Sequence, residues 1–191
     1  KTFLLRWVLS RSDKVTVLGL SQKRKLIEWG VTEESIQVVN NTCEQTIGTM
    51  PKRRPSTESI NLLYLSNLIE AKGYREYLMS LLLLGQMDLP KKVNAILCGQ
   101  FTMTSSDGGE GLTDASERTE QMIEKINKCS HVRVSWLHGA YGEEKAALFY
   151  NADVFVFPSR IEAQPIVLIE AMAAGCAIVT SSAGEIPSML A

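Results

Sequence analysis

From residue 59 onward, short runs of β-branched and aliphatic residues alternate with longer stretches whose apolar positions recur at helical spacing. The runs INLLYLS (60–66), VNAILCG (93–99), VRVSWLH (132–138), VFVFPS (154–159) and AIVTSS (177–182) predict strands. Between them, residues 73–87, 113–128, 143–151 and 165–174 predict helices, each long enough to serve as a crossover. Regular alternation of the two implies an α/β fold with a Rossmann-like, doubly wound parallel sheet, helices on both faces and right-handed connections. Ligands of such sheets gather at the carboxyl ends of the strands.

Residues 1–50 break this rhythm. They read as a first helix, a strand at KVTVLG (14–19), a helix at SQKRKLIEWG (21–30) and a strand at IQVVN (36–40). Ser21 is the expected N-cap of that helix and Gly30 its stop. So few elements cannot build an independent core, so this part is either the edge of the same fold or the tail of another domain. The stretch TMPKRRPSTES (49–59), rich in proline, serine and charge, reads as a linker. The Gly-rich TSSDGGEGLTD (104–114) lacks the Lys-Ser/Thr ending of a phosphate-binding loop and reads as a surface loop.

Composition narrows the partners. The chain has 191 residues, 45% of them hydrophobic, enough for one sizeable core and a fragment of a second domain. Lys plus Arg total 20 against 21 for Asp plus Glu, so nothing global points to nucleic acid. The four cysteines are far apart with no CxxC pair, which predicts reduced thiols, a cytoplasmic location and no structural zinc; Cys98 and Cys176 read as small buried residues. The longest apolar run, LMSLLLLG (78–85), is far short of the roughly 20 residues of a spanning helix. A peripheral contact with the inner face of a membrane stays open through the KRR of the linker, although a solvated linker is the better reading. The chain starts at Lys1 without a methionine and stops at Ala191 in a helical pattern, as a fragment would.

The chemistry concentrates in EAQPIVLIEAMAAG (162–175). Pro165 suits a first helical position, after which the amides of Ile166, Val167 and Leu168 have no intrahelical acceptor. A helix start at the carboxyl end of a strand suits an anion such as phosphate. On a helical wheel the segment is apolar nearly all round, so the helix is expected to be buried with Glu170 inside it. Two explanations fit that carboxylate. One is a structural ion pair or backbone bond, the ordinary fate of a lone buried Glu; the other is a ligand whose phosphate sits at the helix start and whose sugar diol reaches Glu170. Glu162, eight residues earlier, would then hold the other end of the ligand.

At these residues the sequence resembles a family. FVFPSRIEAQPIVLIEAMAAGCAIVTSSAGEIPSML is similar to the donor-site signature of the family 4 retaining glycosyltransferases: Glu, seven residues, Glu, then Ala-Met-Ala-x-Gly and a Gly-x-Ile-Pro turn. LLYLSNLIEAKGYREYLM (62–79) resembles the same family's first strand and Lys-Gly loop, and HVRVSWLHGAYGEEKAALFYNADVFVFPS resembles its strand, helix and strand before the motif. VTVLGLSQKRKLIEWGVTEESIQVVNN resembles the end of its amino-terminal domain.

The resemblance implies the donor half of a GT-B fold, in which two Rossmann-like domains face each other, plus a remnant of the other half. Residues 1–50 would be the tail of the amino-terminal acceptor domain with its linker, the rest of that domain being absent, and residues 51–191 the nucleotide-sugar domain, truncated at its end. The implied activity is transfer, with retention, of a hexose-type sugar from a nucleotide-diphosphate sugar to a glycan or lipid-linked acceptor, as in polysaccharide biosynthesis. No cofactor or metal is expected, in keeping with the lack of an Asp-x-Asp pair. The fragment alone is expected to be inactive. Carried over by motif position, Glu170 would bind the ribose hydroxyls, Glu162 would contact the hexose at the reacting centre, and Lys72 would neutralise the leaving diphosphate. Backbone amides of Ala163, Gln164, Ile166 and Val167 would meet the sugar and diphosphate, and His138, in LHGAYG, would lie near the base.

The chain departs from the pattern at Asn67, where many members carry Arg, and at Ala163 and Gln164, where Gly and an aromatic are frequent. Alternatives are a sugar-nucleotide epimerase of the same fold, whose acid/base set is not visible here, and a non-catalytic nucleotide-binding module, for which Asn67 is the hint. Trp136 and Phe157 read as core, and Glu185 as a cap of the last helix.

Overall fold

The computed structural model describes residues 2–43, 47, 56–102 and 112–191; residues 49–55 of the expected linker and 104–111 of the Gly-rich loop lie outside them. In chain order its elements are α1 (Thr2–Leu9), β1 (Val15–Val17), α2 (Leu20–Glu28), β2 (Ile36–Val38), β3 (Ser59–Leu65), α3 (Tyr74–Leu84), β4 (Lys92–Cys98), α4 (Leu112–Asn127), β5 (Val132–Leu137), α5 (Gly142–Asn151), β6 (Val154–Phe157), α6 (Ile166–Ala173), β7 (Ala177–Thr180) and α7 (Ile186–Met189). They divide into two compact units. One comprises Lys1–Thr42, Ile161–Ile166 and Ser182–Ala191, the other Cys43–Arg160 and Val167–Ser181.

The larger unit holds a five-stranded sheet in the order β5-β4-β3-β6-β7. Every pair is parallel, with Ser59 opposite Lys92 and Leu62 opposite Val154 flanking the central β3. Leu63 and Tyr64 of that strand are both buried, and since successive side chains point to opposite faces, both faces of β3 are covered. On one face Tyr77, Leu78 and Leu81 of α3 and Ile126 of α4 pack with Tyr64, Leu97 and Val134. Phe149 of α5 packs instead on Phe155, ring centroids 5.5 Å apart, and Phe155 on Phe157. The chain runs outward from β3 through β4 to β5, then returns to β6 on the other side. Right-handed crossovers place helices on opposite faces when the direction reverses, and the reversal falls between β3 and β6.

The expected strands and helices all form, with ends shifted by a few residues. The helix expected over 73–87 stops at Leu84, followed by Gly85 and a turn. Trp136 differs from its expected place in the core: β5 is an edge strand, so the indole is half-buried, and its Nε1 donates to the Gly99 carbonyl at 3.0 Å. Phe157 is buried as expected. Among the described residues no helix is long and apolar enough to cross a membrane.

In the smaller unit β1 and β2 pair in parallel, Val15 opposite Ile36 and Val17 opposite Val38. Val17, Val31 and Ile36 form its core with Leu9 and Leu26 against them. The expected stop of α2 is present: Gly30 is left-handed, its N–H donates to Ile27 and that of Val31 to Leu26, which satisfies two terminal carbonyls. The start differs. Gly19 is the N-cap, and Ser21 lies within the first turn with its hydroxyl donating to Glu185. The Gln22 amide donates to Glu185 Oε1 at 2.9 Å, so the carboxylate expected to cap its own helix α7 caps α2 from 163 residues away. Glycine at 19 makes room for it, since a Cβ there would lie 2.3 Å from Glu185 Cδ.

Burial alone would raise the Glu185 pKa, but the donors from Ser21, Gln22 and Ser188 outweigh it and hold the carboxyl below its ordinary 4.5. A carboxylate depressed in the native state stabilises fully above its unfolded pKa, and that stabilisation is lost as pH falls through the native value. Glu185→Gln is therefore expected to flatten the acid limb of a urea-midpoint profile below pH 4.5. An unchanged limb would show that the cap contributes nothing to acid stability.

Candidate functional site

Because β3 and β6 are neighbours whose following helices leave on opposite faces, the loops after them flank the crevice at the switch point of the sheet. The loop after β3 carries Asn67, exposed, and then a 3-10 turn, Glu70–Lys72, closed by Gly73 at φ 78°. Lys72 is half-buried; its amide donates to Ile69 at 2.9 Å, and its carbonyl accepts from the hydroxyl of buried Tyr64 at 3.2 Å. The loop after β6 is bonded to this turn. The Arg160 amide donates to the Ala71 carbonyl at 2.8 Å, and its guanidinium reaches the Glu70 carbonyl and the Glu76 carboxylate, each at 2.8 Å. A Cβ on Gly73 would lie 2.3 Å from the Pro158 carbonyl oxygen, so this approach of two loops needs glycine. Lys72 thus stands on a turn braced from the core by Tyr64 and from the neighbouring strand end by Arg160.

Helix α6 starts at Ile166, one residue after Pro165, and buries Leu168, Glu170 and Ala171. It is less enclosed than its wheel predicts: Ile166 is 46% exposed, because the apolar circumference continues onto a first turn that the fold leaves open. Glu170 is 1% exposed. Its Oε1 lies 2.5 Å from Lys145 Nζ of α5, while its Oε2, among the described residues, is buried without a hydrogen-bond partner. The ordinary explanation of this carboxylate is therefore half realised. An ion pair satisfies one oxygen, and the other keeps an unmet acceptor whose desolvation costs about 1–3 kcal/mol. Hydroxyl donors from a ligand suit such an atom.

His138, exposed, follows the carboxyl end of β5, its ring 4.5 Å from that of Trp136, which in turn meets Phe101 edge-on at 5.7 Å. On β4, burial and then the Glu144 charge push the Cys98 thiol up to about 11, so it stays a neutral packing group, as expected of it.

The remaining candidates lie in the smaller unit. The Gln164 side chain is engaged there: its Oε1 accepts from the Asn41 amide at 2.5 Å and its Nε2 donates to Asn40 Oδ1 at 3.2 Å, while its carbonyl accepts from Asn41 Nδ2 at 2.8 Å. The Ala163 carbonyl accepts from the Glu185 amide at 2.9 Å, and a Cβ on Gly184 would meet the carbonyl oxygen of half-buried Glu162 at 2.1 Å. The candidates thus divide, with Asn67, Lys72, His138, Val167 and Glu170 in the larger unit and Glu162, Ala163, Gln164 and Ile166 in the smaller.

Sequence reasoning missed Lys145, Tyr64 and Arg160. Lys145 did leave a signal: it lies four residues before Phe149 and beside Ala146, on the apolar stripe by which α5 packs, where a cation needs a buried partner.

The family model for glycosyl transferases group 1 matches residues 49–191. Glycogen synthase of Mycobacterium tuberculosis (strain ATCC 25618 / H37Rv) is 28% identical over 182 residues, which make up 93% of this chain and 39% of that protein. The chain therefore spans about two fifths of the length of the curated relatives it matches. Among solved structures, Anabaena HepE in complex with UDP-glucose superposes with a TM-score of 0.65 at 20% identity, over 98% of this chain and 50% of that one. Sucrose-phosphate synthase from Thermosynechococcus elongatus gives 0.68 at 19%, over 99% and 45%. At these identities the likeness is one of fold: an α/β, Rossmann-like half of the GT-B architecture.

Proposed function

The chain belongs to the group 1 glycosyl transferases, and on that footing we propose that the protein it is part of moves a hexose-type sugar, with retention, from a nucleotide-diphosphate sugar to a glycan or lipid-linked acceptor. The carrying observation is Glu170, buried on the helix that follows the switch-point strand, with one oxygen paired and the other, among the described residues, lacking a donor. The ribose hydroxyls of the donor nucleotide are the donors it lacks. HepE, similar in fold, holds UDP-glucose, which supports a nucleotide sugar as the ligand. Residues 51–191 are in this reading the donor domain, and residues 1–50 the end of the acceptor domain.

Breaking the bond between sugar and phosphate builds negative charge on the leaving diphosphate, so positive groups set in place beforehand lower the barrier most. Lys72, held by its braced turn, supplies one, and the amides at the start of α6 supply partial charge. No metal enters this scheme. Glu162 contacts the transferred hexose, and His138 lies towards the base. Gln164 contributes through its backbone, since its side-chain amide is engaged with Asn40 and Asn41.

Titration of the chain with UDP, GDP and ADP by calorimetry tests the reading. One of the three is expected to saturate it, and Lys72→Ala to weaken that nucleotide by roughly 10-fold or more, as for a lost charge-assisted bond, while leaving the matching nucleoside unaffected. Absence of saturable binding by all three sinks the proposal.

A further inference from the structure

Lys145 lies outside the Glu, seven residues, Glu motif, on a different helix from Glu170 and 25 residues before it in sequence. We infer that Lys145 is a positioning residue for nucleotide recognition: by holding Oε1 of Glu170 it presents Oε2 as the acceptor for a ribose hydroxyl. The inference rests on the donor-site reading and adds to it a residue that does not itself touch the ligand.

Three observations carry it. The pair is short, 2.5 Å, and its side chains are 20% and 2% exposed, so it is partly desolvated and coupled more strongly than a surface pair. The anchor is held in place, because α5 is fixed by Ala146 and Phe149, both wholly buried, one and four residues after Lys145. Finally, among the described residues Oε2 has no donor, so without Lys145 no partner fixes the carboxylate plane about its terminal bond and neither oxygen is held facing a ligand.

A purely structural pair and a positioning pair differ in what they do to ribose recognition. The test measures the dissociation constants of UDP and 2′,3′-dideoxy-UDP for the full chain and its variants. The parent is expected to prefer UDP, and Lys145→Met, which keeps the stem, to weaken UDP about 10-fold while leaving dideoxy-UDP unchanged. Lys145→Arg should restore most of the preference. Glu170→Gln is the reference, expected to remove the preference outright.

The failures separate. If the parent binds both nucleotides alike, or Glu170→Gln keeps the preference, the ribose reading of Glu170 falls and this inference with it. If Glu170→Gln removes the preference but Lys145→Met keeps it, or weakens both nucleotides equally, only the role of Lys145 is overturned. Should Lys145→Met not fold, Lys145→Gln is read by the same ratio. Failure of both to fold would make the pair a folding element and overturn the inference.

Discussion

Glu170→Ala is expected to lower the affinity for a nucleoside diphosphate by roughly 10²-fold while changing stability by no more than about 1–2 kcal/mol. In the donor-site reading the binding loss follows from a carboxylate oxygen that accepts a ribose hydroxyl, since a hydrogen bond to a charged group contributes about 1.5–3 kcal/mol. The small stability change follows from opposed terms. Removing the side chain breaks the Lys145 pair, but it also removes a buried oxygen that has no partner among the described residues. Lys145, 20% exposed, can turn its ammonium to water instead of being stranded. Calorimetric titration with UDP beside urea unfolding measures both quantities on one sample. The reverse pattern, a loss of more than about 3 kcal/mol with undiminished binding, would mean that Glu170 is a structural ion-pair partner and nothing more.

Gly73→Ala should destabilise the larger unit by about 2–5 kcal/mol. Two costs combine. A residue with a Cβ at φ 78° pays the left-handed penalty, and that Cβ would lie 2.3 Å from the oxygen and 2.8 Å from the carbon of the Pro158 carbonyl. Neither backbone can yield easily. Gly73 is bonded through its N–H to Glu70 and through its carbonyl to the Tyr77 amide, while the Pro158 loop is tied to Ala71 by Arg160. Whatever separation occurs moves the Lys72 turn away from the end of β6, so nucleotide affinity should fall further than lost stability explains. Gly142→Ala is the control, left-handed at φ 53° but with nothing within 4 Å of the added carbon. Urea unfolding of the two variants isolates the close approach, and equal losses would show that the loops are not in tight contact.

Much of the larger unit is legible along the chain. The runs around Leu63, Ala95, Val134, Phe155 and Ile178 are apolar at strand length, and the stretches between them repeat at helical period, so the alternation and the parallel sheet follow from residues near in sequence. Glu170 stands out for a related reason: a carboxylate amid apolar neighbours contradicts its local pattern. Lys72 is marked only by its place between a strand and a glycine turn. Gly30 is recognisable because helix termination is a local event, whereas the start of α2 was misplaced because its capping carboxylate, Glu185, comes from the far end of the chain.

The boundary between sequence and tertiary structure therefore falls at partner identity. By itself the sequence determined the order of elements, the family signature and the positions at which an unpaired charge would be costly. Only the tertiary structure decided that Lys145 takes one oxygen of Glu170 and leaves the other, that Tyr64 and Arg160 brace the Lys72 turn, and that Gln164 spends its side chain on Asn40 and Asn41. The physical reason is range. Hydrophobic period and turn chemistry act over a few neighbouring residues and are written in consecutive letters, whereas a buried polar group is satisfied by whichever donor the packing of whole elements brings within about 3 Å.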